Sequence, residues 1–185
     1  ATAKPSASVT MSTIAGRNIT VQYAAADGTG QNAATLADND FAATSGTLTI
    51  LAGETTGTIT VLVNGDTKDE YDETFAVNLT LPVGVNITRT QAVGTITNDD
   101  TPPTISINDL ALLEGIAGTT NFPFVVTLSA ASGKIVTVDY TTTAGTAAAG
   151  ADYTAIPSTV LTFAPGEITK TISVTVNGDT TDELD

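Results

Sequence analysis

Carboxylate side chains are concentrated in two nearly identical stretches of this chain. Residues 63–73 read VNGDTKDEYDE, and residues 176–185 read VNGDTTDELD. The chain contains no His and no Cys, which makes zinc improbable because protein zinc sites are built mainly from those two residue types. Carboxylates are instead the hard oxygen ligands that Ca²⁺ takes up, about six to eight oxygens at a time. The repeated acids therefore favour calcium chemistry.

The same acids have a second interpretation. A charged turn between two strands protects them against aggregation, and Asp residues in turns often bind their own backbone. Against this, crowding many carboxylates into a few ångströms costs several kcal/mol unless a cation lies between them. The acids by themselves do not decide between a cation site and a solvated acidic turn.

Composition excludes several function classes. Six Lys and Arg stand against 20 Asp and Glu, a formal net charge of −14; such a chain repels nucleic acid and anionic membrane surfaces. No apolar run approaches the roughly 20 residues that span a bilayer. With no His, no Cys, no nucleophile elbow and no phosphate-binding Gly loop, the sequence predicts a protein that is not an enzyme. A carboxylate pair could serve a glycosidase, but the chain has no Trp and only four Tyr to bind sugars.

The acidic stretches belong to a longer repeat of about a hundred residues, which is typical of tandem modules. Each follows a strand with period-two alternation, 57–63 and 170–176. Alternation and turn dipeptides predict an all-β fold of two tandem antiparallel immunoglobulin-like β-sandwiches. The boundary falls at ThrProPro, giving module 1 at 1–100, a linker at 101–103 and module 2 at 104–185. Strands are expected near 6–13, 18–25, 46–51, 57–64, 74–80, 91–98, 104–108, 120–129, 134–143, 158–164 and 169–177.

An ordered set of motifs, present twice, resembles the Calx-β domain family. The first copy contains Tyr23, Asp27-Gly28-Thr29, Asp40-Phe41, Gly53-Glu54, Asp66, Glu70, Asp72-Glu73-Thr74-Phe75 and Asn98-Asp99-Asp100. The second copy contains Tyr140, Gly145-Thr146-Ala147, Asp152-Tyr153, Pro165-Gly166-Glu167, Asp179 and Glu183. The resemblance covers nearly the whole chain.

The resemblance implies a seven-stranded sandwich with Ca²⁺ bound by the loops at one end. Carried onto this chain, the ligands of module 1 are Asp40, Asp66, Glu70, Glu73, Asp99 and Asp100. Those of module 2 are Glu114, Asp152, Asp179 and Glu183. For Asp40 and Asp152 the alternative is a loop residue that caps its own backbone. For Asp99 and Asp100 the alternative is that they belong to a polar linker.

The chain departs from the family pattern at both ends. Module 1 has no counterpart of residues 104–119, so it lacks a first strand and an acid equivalent to Glu114. Module 2 stops before its last strands. We therefore expect both sandwiches to be incomplete at the chain ends, as a piece of a longer array or as modules that neighbouring chains complete by strand addition.

The expected function is that of a calcium-binding structural or adhesive repeat in a larger extracellular or cell-surface protein. Ca²⁺ would make the joints between modules rigid, and the partners would be neighbouring repeats or identical chains, with a cell-surface or matrix ligand beyond them. An Ala-, Thr- and Gly-rich chain without Cys resembles a bacterial surface repeat. The alternatives are a calcium sensor like the regulatory domains of sodium–calcium exchangers, or a fibre-forming subunit that assembles by strand exchange without obligatory calcium.

Overall fold

The computed structural model describes residues 6–180, and within them it contains eleven β-strands and no helix. All pairs of neighbouring strands are antiparallel, and the predicted fold class is confirmed. The strands are β1 (Ser6–Thr10), β2 (Ile19–Ala26), β3 (Ser45–Ile50), β4 (Thr56–Thr60), β5 (Glu73–Val83), β6 (Gln91–Ile96), β7 (Ile105–Ile107), β8 (Thr119–Leu128), β9 (Val136–Tyr140), β10 (Thr159–Phe163) and β11 (Thr169–Asn177).

The described residues form two compact units. Unit 1 contains residues 6–67 and 71–99, and unit 2 contains residues 68–70 and 100–180. The chain therefore leaves unit 1 after residue 67, returns after residue 70 and leaves again after residue 99. Unit 2 is discontinuous in sequence.

Unit 1 is built from two sheets, one with strand order β1-β4 and one with order β3-β2-β5-β6. Alternate residues of these strands point into a shared core. Phe41 is 1% exposed and stacks on Phe75 with ring centroids 4.9 Å apart. Ile59, Val61 and Val77 complete the centre of this cluster, and the half-buried Tyr23 packs against it.

Unit 2 contains a three-stranded sheet, β11-β8-β7, and a two-stranded sheet, β10-β9. Its core contains Val126, Leu128, Phe163 and Ile172. Ile172 occupies the position in the repeat that Ile59 occupies in unit 1, and both are buried. Tyr140, like Tyr23 in unit 1, lies half-buried against the core.

The strand registers collect the acid-bearing loops of unit 1 at one end. Ala26 at the end of β2 pairs with Ala76 near the start of β5, and Glu73 at the start of β5 pairs with Ile96 at the end of β6. The connections after β2, after β4 and after β6 consequently leave the sheets at this end. The tight turn after β3 lies at the opposite end, where Gly53 has a φ of 88°, a left-handed value that favours glycine.

Candidate functional site

The loop that carries Asp40 is hydrogen-bonded to the chain just before Asp66. The backbone N–H of Asn64 donates to the carbonyl of Asp40 at 2.9 Å, and the N–H of Ala42 donates to the carbonyl of Leu62 at 2.8 Å. β4 is described as far as Thr60, which pairs with Ser6 at the start of the described chain, and beyond it Val63 bridges to Phe41 of this loop. Asp66 follows two residues after Asn64, so the sequence-predicted Asp40 and Asp66 belong to adjoining segments.

Unit 2 contains the same arrangement at the equivalent positions. The N–H of Asn177 donates to the carbonyl of Asp152 at 2.8 Å, and the N–H of Thr154 donates to the carbonyl of Thr175 at 2.8 Å. Asp179 follows two residues after Asn177. The structure thus places the pair Asp152 and Asp179 as it places Asp40 and Asp66.

The carboxylates of the two loop aspartates also bind their own backbone. Asp40 Oδ2 accepts a hydrogen bond from the N–H of Thr35 at 2.7 Å, and Asp152 Oδ2 accepts one from the N–H of Ala148 at 2.5 Å. Both side chains are half-buried. The capping interpretation therefore accounts for one oxygen of each group. A carboxylate has two oxygens with about four lone-pair sites, so capping is compatible with cation binding.

Glu114 lies in the loop before β8, and this loop packs against the chain directly after β11. Its carbonyl accepts a hydrogen bond from Thr120 Oγ1 at 2.6 Å. The N–H of Gly178 donates to the carbonyl of Gly118 at 3.0 Å. A β-carbon on Gly178 would lie 2.9 Å from the carbonyl oxygen of Glu114, so the two backbones approach closely. Glu114 is thereby brought beside the segment that carries Asp179.

Glu73 and Asp99 are positioned by the start of β5 and the end of β6. Glu73 is the first residue of β5, so the acidic loop ends one residue earlier than the sequence suggested. Just before it, Asp72 Oδ1 accepts a hydrogen bond from the N–H of Asn98 at 3.0 Å. This bond holds the segment leading to Asp99 against the start of β5. Glu73 is half-buried, whereas Asp66 and Asp99 are exposed.

The predicted ligands of module 1 are divided between the two units. Asp40, Asp66, Glu73 and Asp99 lie in unit 1. Glu70 and Asp100 lie in unit 2, together with Glu114, Asp152 and Asp179. Glu183 falls outside the described residues.

Unit 2 also contains a buried acid that the sequence did not single out. Asp69 is 4% exposed, its Oδ1 accepts a hydrogen bond from Lys134 Nζ at 2.7 Å, and its Oδ2 accepts one from Ser132 Oγ at 3.3 Å. The N–H of Gly133 donates to the Asp69 carbonyl at 2.8 Å. Next to it, Glu70 pairs with Lys68 at 2.5 Å. Asp69 therefore has a structural role, which is to hold residues 68–70 in unit 2.

Among residues 6–180, no group of three or more acidic side chains is arranged so that it could hold a metal ion. In this part of the chain the structure brings together the segments of Asp40 and Asp66, and those of Asp152 and Asp179, without grouping three carboxylates. The available donors are all oxygens, from carboxylates and loop carbonyls, and this donor set suits Ca²⁺ rather than a soft metal.

Comparison with known proteins establishes the family. The sequence model of the Calx-beta domain matches residues 6–109 and again residues 99–185. The chain belongs to the Calx-beta domain family, as its repeated motifs predicted. Comparison with curated proteins gave no match.

Solved structures similar to the chain include tandem domains. CBD12 from CALX1.2 is 25% identical, with 94% of this chain and 69% of that chain covered and a TM-score of 0.47. The calcium binding domain CBD12 of CALX1.1 is 22% identical, with 92% and 67% covered and a TM-score of 0.47. The apo-form Calx CBD1 domain is 27% identical, with 52% and 83% covered and a TM-score of 0.45. Within residues 6–180, no helix is long and apolar enough to cross a membrane.

Proposed function

We propose that this protein is a calcium-binding tandem module whose ions are held by the loops at one end of each unit. The observation that carries the proposal is the duplicated hydrogen bonding that sets Asp40 beside the segment of Asp66, and Asp152 beside the segment of Asp179. Family membership supports it. A solvated acidic turn would not need the same hydrogen bonding between two segments in both units.

The residues that would hold Ca²⁺ come from adjoining segments of each unit. In unit 1 they are Asp40, Asp66, Glu73 and Asp99, and in unit 2 they are Glu114, Asp152 and Asp179. Bound calcium would supply positive charge at one end of each unit, in a chain whose formal net charge is −14. The side chains of Asp66 and Asp179 are exposed, whereas Asp40 and Asp152 are half-buried and each accepts a hydrogen bond from its own loop.

We further propose that the chain is a structural or adhesive repeat of an extracellular or cell-surface protein. Asp99 and Asp100 directly precede the ThrProPro segment, so an ion bound by Asp99 would restrain the joint that follows it. The partners in this proposal are neighbouring repeats or identical chains, and a cell-surface or matrix ligand. The absence of Cys and the Ala- and Thr-rich composition support the bacterial surface type.

Calorimetric titration with CaCl₂ tests the calcium sites. The wild-type chain is compared with Asp66→Asn, Asp179→Asn and a charge-matched control, Glu54→Gln. Glu54 lies in the turn after β3, at the opposite end of unit 1 from Asp66. We expect each Asp variant to lose the binding heat of its own unit and Glu54→Gln to keep both. Absence of heat from the wild type, or equal heats from all variants, refutes the proposal.

Small-angle scattering tests the joint. We expect the distribution of interdomain distances to narrow in Ca²⁺ and to broaden in chelator, with MgCl₂ as the control because Mg²⁺ keeps more of its water and accepts fewer side-chain ligands. The double change Asp66→Asn and Asp99→Asn should show the chelator distribution even in Ca²⁺. Identical distributions in Ca²⁺ and chelator would refute the proposed stiffening of the joint. The calorimetric titration would then decide separately whether the chain binds calcium.

A further inference from the structure

One asparagine in each unit makes the same two hydrogen bonds to the aspartate loop. Asn64 donates its backbone N–H to the carbonyl of Asp40 at 2.9 Å and its side-chain Nδ2 to the carbonyl of Asn39 at 2.8 Å. Asn177 donates its N–H to the carbonyl of Asp152 at 2.8 Å and its Nδ2 to the carbonyl of Ala151 at 2.7 Å. The residues that accept the side-chain bond, Asn39 and Ala151, differ in type. In both units the acceptor is a backbone carbonyl.

Paired donation to two consecutive carbonyls fixes the orientation of the peptide between them. That peptide leads into the aspartate, so its orientation sets the direction from which the Asp40 or Asp152 side chain leaves the loop. The residue type follows from this role: an asparagine at this position supplies an N–H₂ donor at the length observed, whereas an aspartate would turn a carboxylate oxygen towards a carbonyl. Both asparagines are half-buried, so water competes only in part for these bonds.

The backbone beside Asp40 makes a further contact with Asn64. Asn39 has a φ of 66°, in the left-handed region where residues other than glycine are uncommon. Its carbonyl and its Oδ1, at 2.8 and 3.2 Å, both accept from Asn64 Nδ2. The Asn64 side chain therefore contacts the one residue of this loop whose φ is left-handed without being glycine, on both its backbone and its side-chain oxygen.

We propose that Asn64 and Asn177 are positioning residues of the two calcium sites: each holds its aspartate loop against the acid that follows, Asp66 or Asp179, without itself binding the ion. This inference rests on the proposed calcium-binding function. It also makes a claim that is independent of calcium, because the loops must be held by these side chains whether or not an ion is present.

The test uses the full chain and two measurements on Asn64→Ala, Asn177→Ala and Asn64→Asp. Asn78→Ala is the control, because Asn78 on β5 is also half-buried and accepts a single side-chain hydrogen bond, from Gln91 at 2.9 Å. Hydrogen exchange in chelator reports the holding of the loop, and calcium titration reports the site. We expect Asn64→Ala to speed exchange of residues 35–42 and to weaken binding in unit 1 by about 3- to 10-fold, the value of one ordinary hydrogen bond. Unit 2 should be unchanged, and Asn177→Ala should show the converse.

Asn64→Asp separates positioning from ligation. It preserves the size of the side chain, so it also decides the question should the alanine variant fail to fold. A carboxylate near a cation strengthens binding if this residue faces the ion, whereas loss of the N–H₂ donor weakens binding if the residue holds the loop. We expect weaker binding and faster exchange of residues 35–42.

Three results would overturn the inference: stronger calcium binding by Asn64→Asp, unchanged exchange of residues 35–42 in Asn64→Ala, or an equal change in Asn78→Ala. If the wild type binds no calcium, the proposed function fails, and the exchange measurement still decides whether the asparagines hold the loops.

Discussion

Gly28 offers a test of how the aspartate loop of unit 1 is held in place. A β-carbon at this position would overlap the carbonyl oxygen of Thr74 at the start of β5 and would lie 3.1 Å from the Cα of Ala33. Gly145, its counterpart in unit 2, has no atom within 4 Å of an added β-carbon. The two positions therefore provide a matched pair of Gly→Ala substitutions with opposite expected outcomes.

The cost of Gly28→Ala follows from the bonds that the displaced backbone makes. Gly28 N–H donates to the carbonyl of Ala34 at 3.0 Å, Ala34 N–H donates to the carbonyl of Thr74 at 2.9 Å, and Thr74 N–H donates to the carbonyl of Asn32 at 3.2 Å. Backbone hydrogen bonds contribute about 0.5–1.5 kcal/mol each, and overpacking costs about 1–3 kcal/mol. Because the surrounding backbone relaxes in part, these costs are not reached in full. We expect the free energy of unfolding of unit 1 to fall by about 2–5 kcal/mol.

Urea denaturation followed by far-UV circular dichroism measures the total loss, because the chain has no Trp for fluorescence. Hydrogen exchange with mass spectrometry assigns the loss to a unit. We expect Gly28→Ala to destabilise unit 1 alone and Gly145→Ala to change the free energy of unfolding by less than about 0.5 kcal/mol, as at other unconstrained surface positions. A stable Gly28→Ala, or similar losses in both variants, would show that the packing of the loop on β5 does not hold the aspartate loop.

Three further substitutions probe the cores and the ion pairs. Phe41→Ala removes a buried ring from the stack in unit 1, and urea denaturation should show a loss of about 3–5 kcal/mol. Lys134→Met removes the cation that binds the buried Asp69 carboxylate, and unit 2 should lose about 2–4 kcal/mol, less than a fully buried pair because Lys134 is partly exposed. The hydrogen bond from Lys170 lowers the pKa of Glu167, so this pair stabilises unit 2 above the ordinary carboxyl pKa and the contribution is lost as the pH falls through the lowered pKa. Lys170→Met should raise the pKa of Glu167 towards its usual value, as measured by NMR titration.

Each of these has a matched control. Leu62→Ala removes an exposed side chain from unit 1 and should cost much less than Phe41→Ala; equal losses would contradict the assigned core. Lys68→Met changes an exposed pair, and surface pairs contribute about 0–1 kcal/mol, so a loss as large as that of Lys134→Met would contradict the assigned role of Asp69. An unchanged Glu167 titration in Lys170→Met would show that its backbone bond from Ala164 accounts for the lowered pKa.

The strands could be predicted because their signal is local. Period-two alternation in most of the segments, together with turn dipeptides, placed the eleven strands of the described chain, and the errors lie at the ends. β4 is described as far as Thr60, which pairs with Ser6 at the start of the described chain. Beyond it Val63 makes a bridge to Phe41, a contact between distant residues that alternation does not encode. β5 extends to Val83, beyond the predicted residue 80, because β2 continues to pair with it across a bulge near Thr20 and Gln22.

The candidate site was only partly accessible from sequence. The acids stood out by charge and repetition, whereas Asn64 and Asn177 did not, although both sit in the repeated VNGD stretch. Their role depends on hydrogen bonds to loops about 25 residues earlier in the chain. Asp69 left even less of a signal, because its partners Ser132 and Lys134 lie more than 60 residues away.

The discontinuity of unit 2 affects how the chain can be divided. A cut at the ThrProPro segment, which the sequence suggests as the natural boundary, would release a second module without residues 68–70. Such an excised module would leave Ser132 and Lys134 facing the place of a missing carboxylate, and its isolated stability would understate that of unit 2 in the intact chain. Transfer of this repeat to another protein therefore preserves the contacts of Ser132 and Lys134 only if residues 68–70 are transferred with it.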